Sequence, residues 1–350
     1  MFKVVFRLDW GKTIGSGHYI RCLSLADAFQ KSNKAEIQFI TRSSLPENIV
    51  FPVKKLEKAL DIVDGTGYEY LSIEDEIDEM KAFLKSNTID CLIVDSYGVT
   101  ETYFSELRPY VKIMTYVDDL FCKKYDVDVI VNGNAYATEA FYEKEGKEKF
   151  LLLGCEYTLL RDEFSNLSKR AIKDTVQVVT ISSGGSDPMD FTLVMIGLVK
   201  KYLVPSIQKK IVIGPYFTNV ERIKKAVEGD NSFQLLFQPS MKEVMLNTDL
   251  FLTSSGSILY ELAATGTPSI SFLLSYDQSM LGQYMSEKGT TIQMGKLENF
   301  QEQEAGSSLK MVIADKNLRR QLSEAGQRIL DGNGARRVAE KILAYMEVHL

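Results

Sequence analysis

Short apolar, β-rich runs alternate with longer amphipathic stretches along the whole chain. The pattern predicts strands at Lys3–Leu8, Glu36–Thr41, Cys91–Asp95, Lys112–Val117, Val127–Asn132 and Phe150–Leu153. A second series is predicted at Val176–Ser182, Lys210–Ile213, Phe233–Phe237, Leu250–Thr253 and Ser269–Leu273. Several of these runs are continuously apolar rather than alternating, as expected for parallel strands covered on both faces. Strands separated by helical stretches imply right-handed βαβ units and an α/β fold. After the first strand, Cys22, Leu25, Ala26 and Phe29 recur at i, i+3, i+4 and i+7, the signature of a helix with one buried face.

The segment 160–175 breaks this rhythm: Arg161 to Asp174 is polar and without strand character. The expected organisation is therefore two Rossmann-like domains facing a cleft, residues 1–165 and 174–333. A final helical stretch, 334–350, carries Val338, Ile342, Leu343, Tyr345 and Met346 in register and is expected to pack back on the first domain. In such sheets ligands sit beyond the carboxyl ends of the strands, where loops feed helices.

Composition narrows the chemistry. The chain has 350 residues, 45% of them apolar and 25% charged, values of a globular protein. No apolar run approaches the roughly 18 residues needed to span a bilayer. Lys3, Arg7 and Asp9 interrupt what would be a signal peptide's apolar core, so a cytoplasmic location is expected. A net charge of −6 supplies no general attraction for nucleic acid, and there is no evident basic amphipathic helix for a membrane surface. Two histidines, His18 and His349, argue against a histidine-built zinc site. The four cysteines, Cys22, Cys91, Cys122 and Cys155, form no C-x-x-C pair and read as buried thiols. Neither a metal nor a cofactor is expected.

Three loops carry unusual residues. The first, after Leu8, runs through Asp9 to Gly15, Ser16, Gly17 and His18 at the head of the first helix. Gly15 and Gly17 permit close backbone approach, and the helix start offers unpaired N–H groups to an anion. His18 there is either a neutral imidazole acting as a base or a residue that packs or caps the turn. The dinucleotide fingerprint fails, because G-x-G-x-x-G would need glycine at Ile20. The second loop, Ser182 to Pro188 with Gly184 and Gly185, suits a diphosphate approached by backbone amides, or is a tight turn. The third, Ser254, Ser255, Gly256 and Ser257, precedes a helix bearing Tyr260 and Glu261. Glu261 is placed to accept from ribose hydroxyls, or is a solvated surface carboxylate. In the first half, Asp95, Tyr97 and the pair Asp118–Asp119 follow strands. Such aspartates bind metal, do acid–base work or cap the next element. Asn134 suits sugar hydroxyl or acetamido groups, or a turn. Arg161 is a candidate phosphate contact, or a surface ion-pair partner.

Taken together these residues resemble the PseG/SpsG family, UDP-sugar hydrolases of the pseudaminic acid pathway and relatives from spore-coat and surface-polysaccharide clusters. The resemblance covers nearly the full length. It rests on Arg7-x-Asp9 with Ile14-Gly-x-Gly-His18-x-x-Arg21-Cys-Leu, Asp95-x-Tyr97-Gly98, Asp118-Asp119 and Asn132-x-Asn134-Ala-Tyr136-Ala. Further matches are Tyr157-x-Leu-Leu-Arg161-x-Glu-Phe, Gly184-Gly185-x-Asp187, Tyr260-Glu261-Leu-Ala-Ala-x-Gly-x-Pro and Asp331-Gly-x-Gly-Ala-x-Arg-Val-Ala. It implies the glycosyltransferase-B architecture, related to MurG, and metal-independent hydrolysis of a UDP-linked diacetamido-trideoxyhexose to free sugar and UDP. By that resemblance His18 activates or positions water and Tyr97 assists in the sugar pocket. Gly184, Gly185 and Ser254 to Ser257 stabilise departing UDP, Glu261 holds the ribose, and Gln278 reaches toward the sugar. Asp9, Gly15, Gly17, Asn134, Arg161 and Tyr260 complete the expected substrate contacts. Tyr260 stands where some family hydrolases carry asparagine. The rival readings are an inverting UDP-sugar glycosyltransferase and a catalytically silent sugar-nucleotide-binding subunit.

Overall fold

In a computed structural model, residues 1–11, 17–43, 49–57, 72–121, 125–142 and 150–350 are described. The chain divides into two compact units, Met1–Asp162 with Asn333–Leu350, and Glu163–Gly332. Gly15, Ser16 and Cys122 lie outside the described residues.

The first unit is built on a seven-stranded parallel sheet. Its strands are β1 (Phe2–Leu8), β2 (Ala35–Thr41), β3 (Val53–Lys55), β4 (Ile89–Asp95), β5 (Val111–Val117), β6 (Val129–Asn132) and β7 (Phe150–Leu153). Their spatial order is β3-β2-β1-β4-β5-β6-β7. The continuous runs are central because they can be: Val4, Val5, Phe6 and Leu8 of β1 are buried on both faces. One face is covered by α1 (Gly17–Lys31) and the terminal helix α11 (Gly334–His349), the other by α2 (Ile77–Ser86) and α3 (Glu101–Leu107).

Helix α1 follows from its sequence. Cys22, Leu25, Ala26 and Phe29 are fully buried against the sheet. Burying Leu25 and Phe29 contributes roughly 1.5–3 kcal/mol each. The helix stops where Asn33 turns left-handed, φ 56°, a conformation asparagine tolerates at a helix end. Helix α11 sends Val338, Ala339, Ile342, Leu343 and Met346 into the same core.

Gly334 begins α11 because nothing larger fits. A Cβ there would lie 2.1 Å from the Thr158 carbonyl oxygen. Gly334→Ala should therefore push α11 off its seat, losing about 1–3 kcal/mol of stability. The check is a lowered urea midpoint for the first unit.

The second unit holds a six-stranded parallel sheet of order β10-β9-β8-β11-β12-β13. The strands are β8 (Val178–Ser182), β9 (Gln208–Ile213), β10 (Phe233–Phe237), β11 (Leu250–Ser254), β12 (Ser269–Leu273) and β13 (Ile292–Lys296). Its helices are α4 (Phe191–Tyr202), α5 (Val220–Val227), α6 (Met241–Leu246), α7 (Ile258–Thr265), α8 (Ser279–Glu287), α9 (Glu302–Ala314) and α10 (Lys316–Ile329). The polar stretch before β8 is held by long cations. Arg170 donates to the Met245 carbonyl at 3.1 Å and to Thr267 at 2.9 Å. The buried Arg319 donates to the carbonyls of Lys173 and Asp174 at 3.1 and 3.0 Å. Among the described residues no helix is long and apolar enough to cross a membrane.

Two strands escape the sequence pattern. Both β3 and β13 lie at sheet edges, each with one neighbour, so neither needs an apolar run. In β13, Gly295 adopts φ 79° and only partial burial is reached. The expected strand from Val127 begins two residues later, because the Asp128 carboxylate is spent on Arg108 at 2.5 Å and the Met114 amide at 2.8 Å.

Candidate active site

In both sheets the strand order reverses at one place, the point where open α/β sheets place their ligands. In the first sheet it lies between β1 and β4, and in the second between β8 and β11. The loops singled out in the sequence emerge at these two places.

At the first, His18 stands in the opening turn of α1 and Asp95 ends β4. His18 Nδ1 lies 2.6 Å from Asp95 Oδ1, and both side chains are buried. Arg21, one turn further along α1, grips the same carboxylate with Nε on Oδ2 at 2.6 Å and Nη2 on Oδ1 at 2.5 Å. Cys22 Sγ approaches Oδ2 at 3.2 Å. Burial alone would raise the Asp95 carboxyl, but Arg21 and then His18 outweigh it and hold it well below the usual carboxylate range. Asp95 is therefore an acceptor toward all of these groups.

Arg21 reaches in two directions, since its Nη1 also pairs with Asp119. The other donors to Asp119 are the Tyr97 hydroxyl at 3.1 Å and Asn134 Nδ2 at 3.0 Å. The Tyr97 ring meets His18 edge-on with centroids 4.6 Å apart. Burial, followed by the nearby Asp119 carboxylate, pushes the Tyr97 phenol upward, so it remains a hydroxyl donor. One polar cluster thus gathers His18, Arg21, Asp95, Tyr97, Asp119 and Asn134 from α1 and the ends of β4, β5 and β6.

The adjacent aspartates separate in role. Asp118 accepts from the Tyr142 hydroxyl and from the Leu120 amide, each at 2.8 Å, and so shapes its own turn. Asp119 faces the cluster. The Arg21 guanidinium pairs with both Asp95 and Asp119, so these carboxylates are engaged as ion pairs.

Asp9, expected among the substrate contacts, is fully buried in the scaffold. Its Oδ1 accepts from the Arg42 amide at 2.8 Å and Thr41 Oγ1 at 3.1 Å, while Oδ2 lies 2.7 Å from Arg7. Its charge braces the loop after β2, because a buried carboxylate needs such partners. Gly17 is exposed as the first residue of α1. Arg161 is partly buried near the end of the first unit's main segment.

At the second reversal point, Ser254 Oγ donates to the Ser183 carbonyl at 3.1 Å, joining the loops after β8 and β11. Gly184 takes φ 103°, a conformation that strains other residues. The turn after β9 supports it closely: a Cβ on Gly214 would lie 2.4 Å from the Gly184 oxygen and 2.5 Å from that of Gly185. Gly185 itself is exposed and accepts from the Tyr216 amide at 2.9 Å.

The helix expected directly after this loop starts later, at Phe191, and one of its first-turn amides is already taken by a side chain from the loop. Asp187 Oδ1 accepts from the Thr192 amide at 3.0 Å and its hydroxyl at 2.9 Å, while Asn219 donates to Oδ2 at 2.7 Å. An anion at α4 would meet that carboxylate. At the start of α7 the N-cap residue Ser257 makes no side-chain cap bond. The Ser255 hydroxyl beside it is fully buried and has no hydrogen-bond partner among the described residues. Ser257 is exposed, Tyr260 is buried, and Glu261 sits partly exposed in the first turn. Gln278 joins them: its Oε1 accepts from the Leu274 amide at 3.1 Å, and Nε2 lies 3.7 Å from where a Gly256 Cβ would be.

Sequence alone assigns Arg21 no role beyond its place in a motif, whereas Asp95 and Asp119 are expected as metal-binding, acid–base or capping carboxylates; here all three are joined by ion pairs. A signal existed in Arg21, three residues after His18 on the same helix face. That Asp95 meets them depends on the β1–β4 pairing, which local sequence does not show.

No family model matches the chain. It is 24% identical over 297 residues to the UDP-2,4-diacetamido-2,4,6-trideoxy-beta-L-altropyranose hydrolase of Campylobacter jejuni, covering 83% of this chain and 98% of that one. It is 20% identical over 337 residues to the spore coat polysaccharide biosynthesis protein SpsG of Bacillus subtilis, covering 94% of each. Over most of its length the chain is thus similar to proteins named PseG and SpsG. An uncharacterised protein of Methanocaldococcus jannaschii is 28% identical over 283 residues, 77% of this chain, and the match spans 55% of that longer protein.

Solved structures agree in fold. MurG of Acinetobacter baumannii superposes with a TM-score of 0.66 at 11% identity, over 98% of this chain and 99% of its own. TcCGT1, solved in complex with UDP, gives 0.69 at 12% identity, over 99% of each. The chain therefore has the glycosyltransferase-B fold class, two parallel sheets flanked by helices.

Proposed function

We propose that this protein hydrolyses a UDP-linked diacetamido-trideoxyhexose to free sugar and UDP, in nonulosonic acid or surface-polysaccharide biosynthesis. The observation that carries the reading is the buried His18–Asp95 pair at the first reversal point. Kinship with the Campylobacter hydrolase supplies the substrate class. The oxygen of water attacks the anomeric carbon, and the bond from that carbon to the β-phosphate oxygen breaks. The water's proton passes to His18, the bonding pair leaves with UDP, and the anomeric centre inverts. Tyr97 and Asn134, held by Asp119, line the sugar's side of the reaction. Arg161 is proposed as a phosphate contact.

The second unit is proposed to hold UDP. The start of α7 offers backbone amides to phosphate oxygens, and Ser255 adds a buried hydroxyl. Amide donors fixed before reaction stabilise the charge that grows on departing UDP. Gly184 and Gly185 approach from the adjoining loop, Ser254, Gly256 and Ser257 shape the helix start, and Glu261 takes the ribose. Tyr260 and Gln278 frame that loop. The rested turn under Gly184 makes a specific prediction. Gly214→Ala drives a methyl into two backbone carbonyls. UDP affinity measured by calorimetry should fall about tenfold, about 1.4 kcal/mol.

The deciding experiment follows UDP release from UDP-2,4-diacetamido-2,4,6-trideoxyhexoses and from UDP-GlcNAc, with EDTA present and no acceptor. Proton NMR reports the anomer formed. Rapid release from a diacetamido sugar supports the hydrolase. Silence with UDP still bound sinks it and turns the search to an acceptor for an inverting transferase.

A further inference from the structure

We infer that Asp95 and Arg21 are positioning residues that fix the tautomer of His18, keeping hydrogen on Nδ1 and the reactive lone pair on Nε2. The inference rests on the hydrolase reading for its kinetic consequence, though not for the tautomer itself.

Two nitrogen arrangements compete. In one, Nδ1 donates to Asp95 Oδ1 across 2.6 Å. In the other, Nδ1 is bare and accepts from Arg21 Nη2 across 3.1 Å. The second places a nitrogen lone pair against a carboxylate oxygen at 2.6 Å, which is repulsive. Asp95 is ionised and has no hydrogen to offer, so only Nδ1–H makes that contact favourable. Arg21 Nη2 is then directed at the same Asp95 oxygen, at 2.5 Å, rather than at the imidazole.

Arg21 adds more than charge. Its Nε and Nη2 hold both oxygens of Asp95, a fork that fixes the carboxylate plane. Its Nη1 pairs with Asp119, which also receives Tyr97 and Asn134. The imidazole's orientation is thereby tied to the side chains proposed to face the sugar. Remove the Asp95 charge and this order fails. In Asp95→Asn the amide nitrogen displaces one Arg21 bond wherever it sits, since Oδ1 meets Nη2 and Oδ2 meets Nε. The arrangement that keeps an oxygen for Arg21 Nε and Cys22 points the amide at His18 Nδ1 and transfers the imidazole hydrogen to Nε2.

The test uses the full-length protein labelled with 15N-histidine. It contains only His18 and His349, and His349→Gln leaves one imidazole in the spectrum. Long-range proton–nitrogen correlation at a pH where the ring is neutral should show Nδ1 protonated and Nε2 bare. The reverse pattern in the wild-type protein overturns the inference, and it does so even if Asp95→Asn does not fold. In folded Asp95→Asn the Nε2–H form should appear, and kcat should fall about 10²–10⁴-fold. KM and UDP affinity should stay within a few-fold. An unchanged tautomer or an unchanged kcat in that variant also overturns it. Absence of UDP release by the wild-type protein defeats the hydrolase reading while leaving the tautomer result standing.

Discussion

Replacing His18 by alanine should reduce UDP release about 10²–10⁴-fold, the usual contribution of a positioned base. The variant should fold. Asp95 keeps both bonds from Arg21, so removing the imidazole leaves no buried charge unpaired. Its principal packing loss is the edge-on contact with Tyr97. UDP should still bind, because the groups proposed to hold it belong to Glu163–Gly332 while His18 belongs to the other unit. Calorimetry with UDP and a release assay on the same preparation separate the two quantities. Turnover within a few-fold of wild type would remove His18 from the chemistry. Loss of UDP binding together with turnover would point instead to misfolding or to a nucleotide role for the histidine.

Glu76→Gln is expected to cost the first unit about 3–5 kcal/mol, because it leaves a buried guanidinium facing a neutral partner. Arg7 and Glu76 are both fully buried. Arg7 Nε and Nη2 meet the two Glu76 oxygens at 2.6 and 2.5 Å, and the Tyr103 hydroxyl adds a bond of 2.8 Å. Arg42 lies 3.3 Å from the same carboxylate. Burial opposes the Arg7 charge, yet Asp9 and Glu76 together hold the guanidinium firmly protonated. With glutamine, an amide would face guanidinium donors, leaving Arg7 to Asp9 and Arg42 to the partly exposed Asp75. The sole tryptophan, Trp10, belongs to this unit, so its fluorescence reports urea unfolding there. A loss below about 1 kcal/mol would show that the network is worth no more than a surface pair.

This network explains why Asp9 looked like a site residue. A charged residue just beyond a buried strand, at the mouth of a loop rich in glycine, reads as chemistry. Its partners are Arg7, two residues earlier, and the turn at Thr41 and Arg42, brought alongside by the β1–β2 pairing. Nothing in the local sequence distinguishes a carboxylate offered to a ligand from one consumed by the protein. Asp187 makes the same point, since its oxygens go to Thr192 and Asn219.

The sequence by itself determined the architecture. Continuous apolar runs such as those at Val4 to Phe6 and Cys91 to Val94 bury both faces only in a parallel sheet, and the helical periodicity between them dictates βαβ connections. It also marked His18, Tyr97 and Asn134, because glycine, histidine and amide residues at strand ends break the pattern around them. Only the tertiary structure decided which charges act on one another. Asp95 meets His18 across 77 residues of chain, and Arg21 meets Asp119 across 98. Strand order brings these side chains together, and burial makes their pairing obligatory, since an ionised group out of water must find its counterpart wherever the sheet places it. Periodicity is a property of neighbours along the chain, whereas charge pairing is a property of neighbours in space.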